Sequence, residues 1–250
     1  MGAMNASNDD AGGGGPVIAF FDVDNTLMRG ASVYHVGGGA YRRGYVTLRD
    51  LLRFAWTQAR FVAVGENLRH LEIVREKALG LAVGIPQSEV EQLAEEIFDS
   101  KIQPRLWPES VGLAREHIAM GHQVWLVTAT PSVVANVIAR RLGLTGAIGT
   151  ELETSDGRYT GNLIGHMLHG PLKADAARGL AERIGSALSE CWAYSDSRND
   201  LPLLELAGHR VVVNPDSVLL RHAVTHGWSI MNLNKKSIRA ARRRLRREAN

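Results

Sequence analysis

Two carboxylates one residue apart, Asp22 and Asp24, follow directly on the apolar run 17–21 and precede Asn25 and Thr26. A short apolar run with glycines before it and acids after it has the pattern of a strand buried on both faces, as in a parallel sheet. In open α/β sheets ligands bind at the carboxyl ends of the strands. A pair of acids there suits Mg2+, which takes oxygen ligands, and one of them can attack phosphorus. A calcium loop beginning at Asp22 would need Gly at its sixth position and Glu at its twelfth; Leu27 and Val33 exclude it. Turn or helix-cap roles are the plainer alternative for both acids. That alternative loses ground because three later strand ends or helix starts carry complementary groups.

Those loci are Thr128, Lys173 and the set Asp196, Asn199 and Asp200. Phosphoryl transfer from an ester asks for an in-line nucleophile, a proton for the leaving oxygen, positive charge on the equatorial oxygens and a metal. Asp22 can be the nucleophile, and Asp24 can protonate the leaving group and then deprotonate the attacking water. Thr128, with Ala129 beside it, can donate to a phosphate where a strand opens into a helix. Asp196 can share Mg2+ with Asp22 and the backbone carbonyl of Asp24. Lys173 sits in the first turn of a helix, where a cation opposes the helix dipole by roughly 0.3–1 kcal/mol. A solvated surface lysine offset by Asp175 is one account of it; neutralising both the phosphate and the nucleophile is the other.

The elements that must position these residues follow from periodicity. After the first strand, residues 31–103 contain no good strand. Apolar residues recur at helical spacing over 48–62, with Thr47 placed to cap, and over 68–78. Ser88 and Glu91 form a capping-box pattern before Val90, Leu93, Ala94, Ile97 and Phe98. Residues 34–45 also suit a helix, although Gly37, Gly38 and Gly39 weaken it. This segment is expected to be a four-helix insert that caps the strand ends. Helix 110–120, strand 123–127 ending at Thr128, helix 133–142, helix 171–184, strand 191–194, a helix to Ala207, strand 210–213 and helix 216–226 then alternate. Pro131 stands where the helix after Thr128 would begin. Residues 147–153 and 158–164 read as paired strands around Asp156 and Gly157. The alternation predicts an α/β fold with a Rossmann-like parallel sheet and right-handed crossovers. The expected division is a disordered leader over 1–16, a core of 17–29 with 105–233, a cap over 30–104 and a basic tail over 234–250.

The 250 residues, 45% hydrophobic, allow a sizeable core. No apolar run approaches the roughly 18 residues of a membrane span, and the N-terminus lacks the basic and apolar regions of a signal peptide. Cys191 is the single cysteine, so no internal disulfide forms, and a cytoplasmic protein is expected. The net charge of +3 hides an asymmetry: 235–248 holds eight basic residues against Glu248, so the rest of the chain is slightly negative. The basic balance therefore belongs to the tail and does not make the folded body a nucleic-acid binder. The tail's apolar stripe, Ile238, Ala241 and Leu245, is too thin for firm membrane insertion. A solvated basic helix is one expectation for it; electrostatic contact with anionic lipid or nucleic acid is the other.

In order, DVDNT, VTATPS, GPLK and YSDSRND resemble the motifs of the haloacid dehalogenase superfamily of aspartate-nucleophile phosphohydrolases. The helical insert directly after the first motif resembles subfamily IB, with its C1-type cap and phosphoserine phosphatase-like members. The resemblance covers about residues 17–233. It implies Asp22 as nucleophile, Asp24 as acid and base, Thr128 and Lys173 on phosphate, and Asp196 on Mg2+. Asn199 and Asp200 would complete the fourth motif, Asp200 orienting metal-bound water or Lys173. Two departures bear on the substrate. Phosphoserine phosphatases usually carry Glu nine residues after the nucleophile, where this chain has Ala31. They favour Ser-Gly-Gly where it has Thr128, Ala129 and Thr130. Receiver domains also combine Asp, Thr, Lys and Mg2+, but their acidic pair precedes a phospho-accepting Asp on a later strand, and this chain is twice their length.

The remaining candidates have plain explanations. His166 and His169 suit a surface loop, Trp56, Trp107, Trp125, Trp192 and Trp228 suit core or domain junctions, and Cys191 a small buried hydrophobe. His35 lies in the expected cap, within reach of a substrate. The sequence thus predicts an Mg2+-dependent phosphatase of a small phosphorylated metabolite. The alternatives are a non-catalytic phosphate-binding protein acting through its tail, and phosphoserine phosphatase proper.

Overall fold

The computed structural model describes residues 15–49, 52 and 83–248. Its centre is a six-stranded parallel sheet. The strands are β1 (Ile18–Phe21), β2 (Gln123–Pro131), β3 (Gly146–Thr150), β6 (Trp192–Ser195), β7 (His209–Val213) and β8 (Ser229–Met231), in the order β3-β2-β1-β6-β7-β8. β1 lies between β2 and β6, so the chain leaves it in one direction for β2 and β3 and in the other for β6 to β8. A strand order that reverses in this way opens a crevice at the carboxyl ends.

The sequence of β1 explains its place. All four residues are fully buried, and alternate side chains go to opposite faces. Ala19 and Phe21 join a core with Val124, Leu126, Tyr194, Leu93 and Ile97, whereas Ile18 and Phe20 join one with Ala177, Leu180, Ala193 and Leu203. Phe21 stacks on Tyr194 of the neighbouring strand, ring centroids 4.1 Å apart.

A helical segment is inserted between β1 and β2, as expected. Helix α1 (Ser32–Arg42) packs on α2 (Gln87–Ile97). At Gly39 packing accounts for the glycine: a Cβ there would stand 2.9 Å from the Cδ1 atoms of Leu93 and Ile97, whereas one on Gly38 would meet nothing within 4 Å. α2 continues through a π turn (Phe98–Ile102) and a 3-10 turn (Gln103–Arg105) into α3 (Pro108–Ala119). The helices expected over 48–62 and 68–78 lie outside the described residues, apart from residues 48, 49 and 52.

Four expectations need correction. The Ser88–Glu91 capping box does not form: α2 starts at Gln87, Pro86 is its cap, and no side chain caps it. The Gln87 N–H instead donates to the carbonyl of Gly157, on the turn of the hairpin β4 (Leu152–Ser155) and β5 (Arg158–Leu163). Residues 147–150 belong to β3 in the central sheet, so only 152–155 pair with β5, because the chain turns out of the sheet after Thr150. β2 runs on to Pro131, with a register shift against β3 between Val127 and Pro131 that loosens the ladder around residues 128–130. β8 was not foreseen; its three residues, Ser229, Ile230 and Met231, are too few to show a period.

Helices α4 (Ser132–Leu142), α5 (Pro171–Ile184), α6 (Leu201–Leu206) and α7 (Ser217–Thr225) cover the sheet. The basic tail forms α8 (Lys235–Glu248), which rests on α3 and the 3-10 turn through the buried Ile238. The Ser237 hydroxyl also donates to Glu109. The first part of the tail is therefore docked rather than solvated, because Ile238 has an apolar surface to cover. No helix among the described residues is long and apolar enough to cross a membrane.

Candidate active site

Asp22 is the first residue past β1, and its N–H donates to the Tyr194 carbonyl of β6, which fixes it at the crevice. The turn behind it is tight. Leu27 and Met28 N–H groups both reach back to the Val23 carbonyl, and Asn25 adopts φ +60°. Asn25 tolerates the left-handed region because its short side chain bonds locally; its Oδ1 accepts from Gly30 N–H at 2.9 Å. Asp24, half-buried in that turn, accepts at Oδ1 from the N–H of Ser32 at 2.8 Å.

Lys173, in the first turn of α5, is buried, and its Nζ donates to Asp22 Oδ1 at 2.6 Å and to Asp200 Oδ2 at 2.7 Å. The surface-lysine alternative fails. Ser195, at the end of β6, donates its hydroxyl to the same Asp200 oxygen at 2.7 Å. Burial would lower the Lys173 pKa, but Asp200 and Asp22 outweigh it and hold the ammonium above its ordinary value.

Asp22 is pushed up to about 7 by burial, with Asp200 and Asp24 adding to the rise and Lys173 opposing it. Asp196, just past β6, is pushed up to about 8 by burial and by Asp22 and Asp200, against Lys173 and a hydrogen bond from Asn25. Asp22, Asp196 and Asp200 therefore share one ammonium while Asp24 adds negative charge at Asp22, and Asp200 Oδ1 is buried without a hydrogen-bond partner. Such a surplus of buried negative charge is what a divalent cation relieves. Among the described residues no cage of three or more His, Cys, Asp or Glu side chains is present. Mg2+ does not require one, since it keeps several waters and takes one or two carboxylates together with substrate phosphate. The donor set fits that ion.

Thr128 lies on β2, two residues past the Phe21–Leu126 pair, and is buried. Ala129, beside it, is half-buried, and its carbonyl accepts from Thr150 Oγ1 at 2.8 Å. The nearby start of α4 supplies backbone N–H groups that can meet an anion. Asn199 is half-buried in the 3-10 turn Arg198–Asp200, where its N–H donates to Ser197 Oγ at 3.2 Å. The structure thus brings Asp22, Asp24, Lys173, Asp196 and Asp200 together, with Thr128 and Ala129 on the adjacent strand. His35 is partly buried, and burial, followed by the charges of Arg105 and Lys101, lowers its pKa.

A model of haloacid dehalogenase-like hydrolases matches residues 19–205. The chain belongs to that family. Phosphoserine phosphatase SerB1 of Mycobacterium tuberculosis H37Rv is 49% identical over 213 residues, which are 85% of this chain and 69% of that protein. A histidinol-phosphatase of Neisseria meningitidis is 34% identical over 226 residues, 86% of this chain and 98% of the relative. A solved structure of a protein of unknown function from Bordetella pertussis Tohama I has a TM-score of 0.78 at 31% identity, covering 88% of this chain and 100% of that one. This haloacid dehalogenase-like hydrolase is a phosphomonoester hydrolase with an α/β core and a helical segment inserted after β1.

Four residues around the hydrolase's site escaped the sequence: Asn25, Ser32, Thr130 and Ser195. Thr130 had a signal, a hydroxyl where related phosphatases favour Gly. Ser32 had none, since its partner is 98 residues away.

Proposed function

We propose that this hydrolase is an Mg2+-dependent phosphatase that cleaves a small phosphate monoester through an aspartyl phosphate on Asp22. The observation that carries the reading is the buried Asp22–Lys173–Asp200 arrangement, with its excess of carboxylate over ammonium. Asp22, Asp196 and the backbone carbonyl of Asp24 would hold the ion, which when bound supplies charge neutralisation between phosphate and nucleophile.

The side chains then divide the work. An Asp22 oxygen attacks phosphorus as the bond to the ester oxygen breaks, and Asp24 gives its proton to the departing oxygen. Water next attacks the acyl phosphate, Asp24 takes its proton, and the bond from phosphorus to Asp22 breaks. Lys173 holds the Asp22 carboxylate in place and neutralises charge on the transferring group. Thr128, with Ala129 and Asn199, orients the phosphate; Asp200 and Ser195 hold Lys173.

The same reading makes 17–29 with 105–233 the catalytic core, 30–104 the cap and 234–250 an appended basic tail, in a cytoplasmic protein acting on a small phosphorylated metabolite. Relatives named for phosphoserine and histidinol phosphate support a small ester. A panel of phosphate monoesters assayed with Mg2+ and with chelator tests it. Turnover that needs the ion supports it, and equal turnover in chelator rules out the metal.

A further inference from the structure

Two hydroxyls that this chemistry leaves unused connect the cap to the core beside Asp24 and Thr128. Ser32, the first residue of α1, is fully buried, and Thr130, in the irregular end of β2, is 4% exposed. Their hydroxyl oxygens stand 2.7 Å apart. Thr128 Oγ1 donates to Thr130 Oγ1 at 3.0 Å, and the Thr130 N–H donates to Thr128 Oγ1 at 3.2 Å. At the other end, the Ser32 N–H donates to Asp24 Oδ1 at 2.8 Å. A buried hydroxyl chain thus runs from Ser32 through Thr130 to Thr128, and the Ser32 backbone ties its near end to the half-buried Asp24.

We propose that Ser32 and Thr130 are positioning residues that steer the Thr128 hydroxyl onto the substrate phosphate. The proposal rests on the reading of Thr128 as a phosphate donor. Each hydroxyl owns one proton and two acceptor sites. In the structure the Thr128 hydroxyl donates to Thr130 Oγ1, so that hydrogen bond must be given up before the same proton can serve a phosphate. When an anion takes that proton, the chain reverses: Ser32 donates to Thr130, Thr130 donates to Thr128, and Thr128 donates to the phosphate. Every hydroxyl then donates once, Thr128 still accepts from the Thr130 N–H, and each bond polarises the next toward the anion. Because the oxygens are buried, no solvent replaces a missing member, and a lost partner leaves a polar group unsatisfied. The bond from Ser32 to Asp24 uses backbone only, so side-chain variants at 32 leave it in place.

Thr130→Val keeps the branched shape and removes the hydroxyl; Thr130→Ser keeps the hydroxyl. Binding of inorganic phosphate in the presence of Mg2+ is measured by calorimetry, KM and kcat on para-nitrophenyl phosphate by initial rates, and folding by thermal melting. Thr130→Val is expected to raise the phosphate Kd and the KM by about tenfold, the scale of one hydrogen bond to a charged group. Thr130→Ser should restore both. Ser32→Ala should shift both the same way by less, and the double variant should add little to Thr130→Val, because the two act in one chain. An unchanged phosphate Kd in folded Thr130→Val overturns the proposal, as does a defect confined to melting temperature or one that serine does not repair. Calorimetry separates the two levels. A wild-type protein that turns over no ester removes the phosphatase reading, while its phosphate Kd still reports on the hydroxyl chain.

Discussion

Lys173 Nζ stands 2.6 Å from Asp22 Oδ1, although 151 residues separate the two in sequence. Both are buried, so the pair is not a solvent-screened surface bridge. Burial raises the Asp22 pKa, and the ammonium, which Asp22 shares with Asp200, offsets that rise only in part. A nucleophile held in this way is fixed in direction while still calling for positive charge.

Replacing the nucleophile separates mechanism from fold. Asp22→Asn keeps the size of the side chain and a hydrogen-bond acceptor for Lys173, so the fold should persist. Turnover should fall by about a thousandfold or more, as expected when a covalent nucleophile is removed. Beryllium fluoride, an acyl phosphate mimic, should raise the melting temperature of wild type and leave Asp22→Asn unmoved. Substantial hydrolysis by the pure, folded variant would sink the covalent mechanism.

Metal binding can be read without turnover. An ion that binds only the folded chain adds about 2.7 kcal/mol at a hundred times its Kd. Added Mg2+ should therefore raise the melting temperature of the wild type. Asp196→Asn should lose most of that shift while melting no lower than wild type in chelator, because it removes one of the competing carboxylates. Equal Mg2+ shifts in the two proteins would take Asp196 out of the metal site.

Acid stability should carry the mark of His117. Its Nε2 meets the Tyr194 hydroxyl at 2.7 Å and its Nδ1 faces His122 Nδ1 at 2.8 Å. Burial, with His122 adding to it, pushes the imidazole down to about 4. Between the ordinary histidine value near 6.5 and about 4, the unfolded chain binds a proton that the folded chain does not. Stability is therefore lost as pH falls through that window, by up to about 1.4 kcal/mol per unit. Urea midpoints measured from pH 7 to pH 4 should fall less steeply in His117→Gln than in wild type.

Deleting 235–250 tests what the basic helix does. It removes the burial of Ile238, worth about 2 kcal/mol, so the melting temperature should drop. Hydrolysis of a small ester should be essentially unchanged, since neither Ile238 nor Ser237 touches the catalytic carboxylates. Any binding of anionic vesicles or nucleic acid by the full chain should weaken steeply with salt and vanish on deletion. A large fall in kcat would show that the tail supports the site.

The substrate remainder is the last test. Ala31, the cap of α1, cannot pair with an ammonium group. Leaving such a charge unpaired in a closed site costs at least about 1–3 kcal/mol, or about tenfold in specificity. Arg29 gives no help, because its guanidinium carries the same sign as the ammonium, and it lines a cavity of about 250 Å3 with the further cations Arg105, Lys235 and Arg239. Glu66 and Glu72, the cap acids that could take over the pairing, lie outside the described residues. Phosphoserine should therefore be outranked in kcat/KM by an ester with a neutral or anionic remainder. Competitive assays that put phosphoserine ahead by an order of magnitude would overturn this.

What the sequence determined by itself was local or patterned. Burial on both faces is written into residues 18–21 as an unbroken apolar run, and a parallel sheet follows from it. Each chemical residue stands within a few positions of a strand end or helix start, so the motif residues Asp22, Asp24, Thr128, Lys173, Asp196 and Asp200 were legible in order. Tertiary structure decided the relations between them. Lys173 could be a surface lysine until α5 placed its ammonium between Asp22 and Asp200. Ser88 could cap a helix until the hairpin turn at Gly157 offered its carbonyl to the Gln87 N–H. Gly39 weakened a helix in sequence and turned out to admit Leu93 and Ile97. Ser32 and Thr130 carried no pattern that joins them. A hydrogen bond between buried side chains depends on where two backbones meet, and no local period records that.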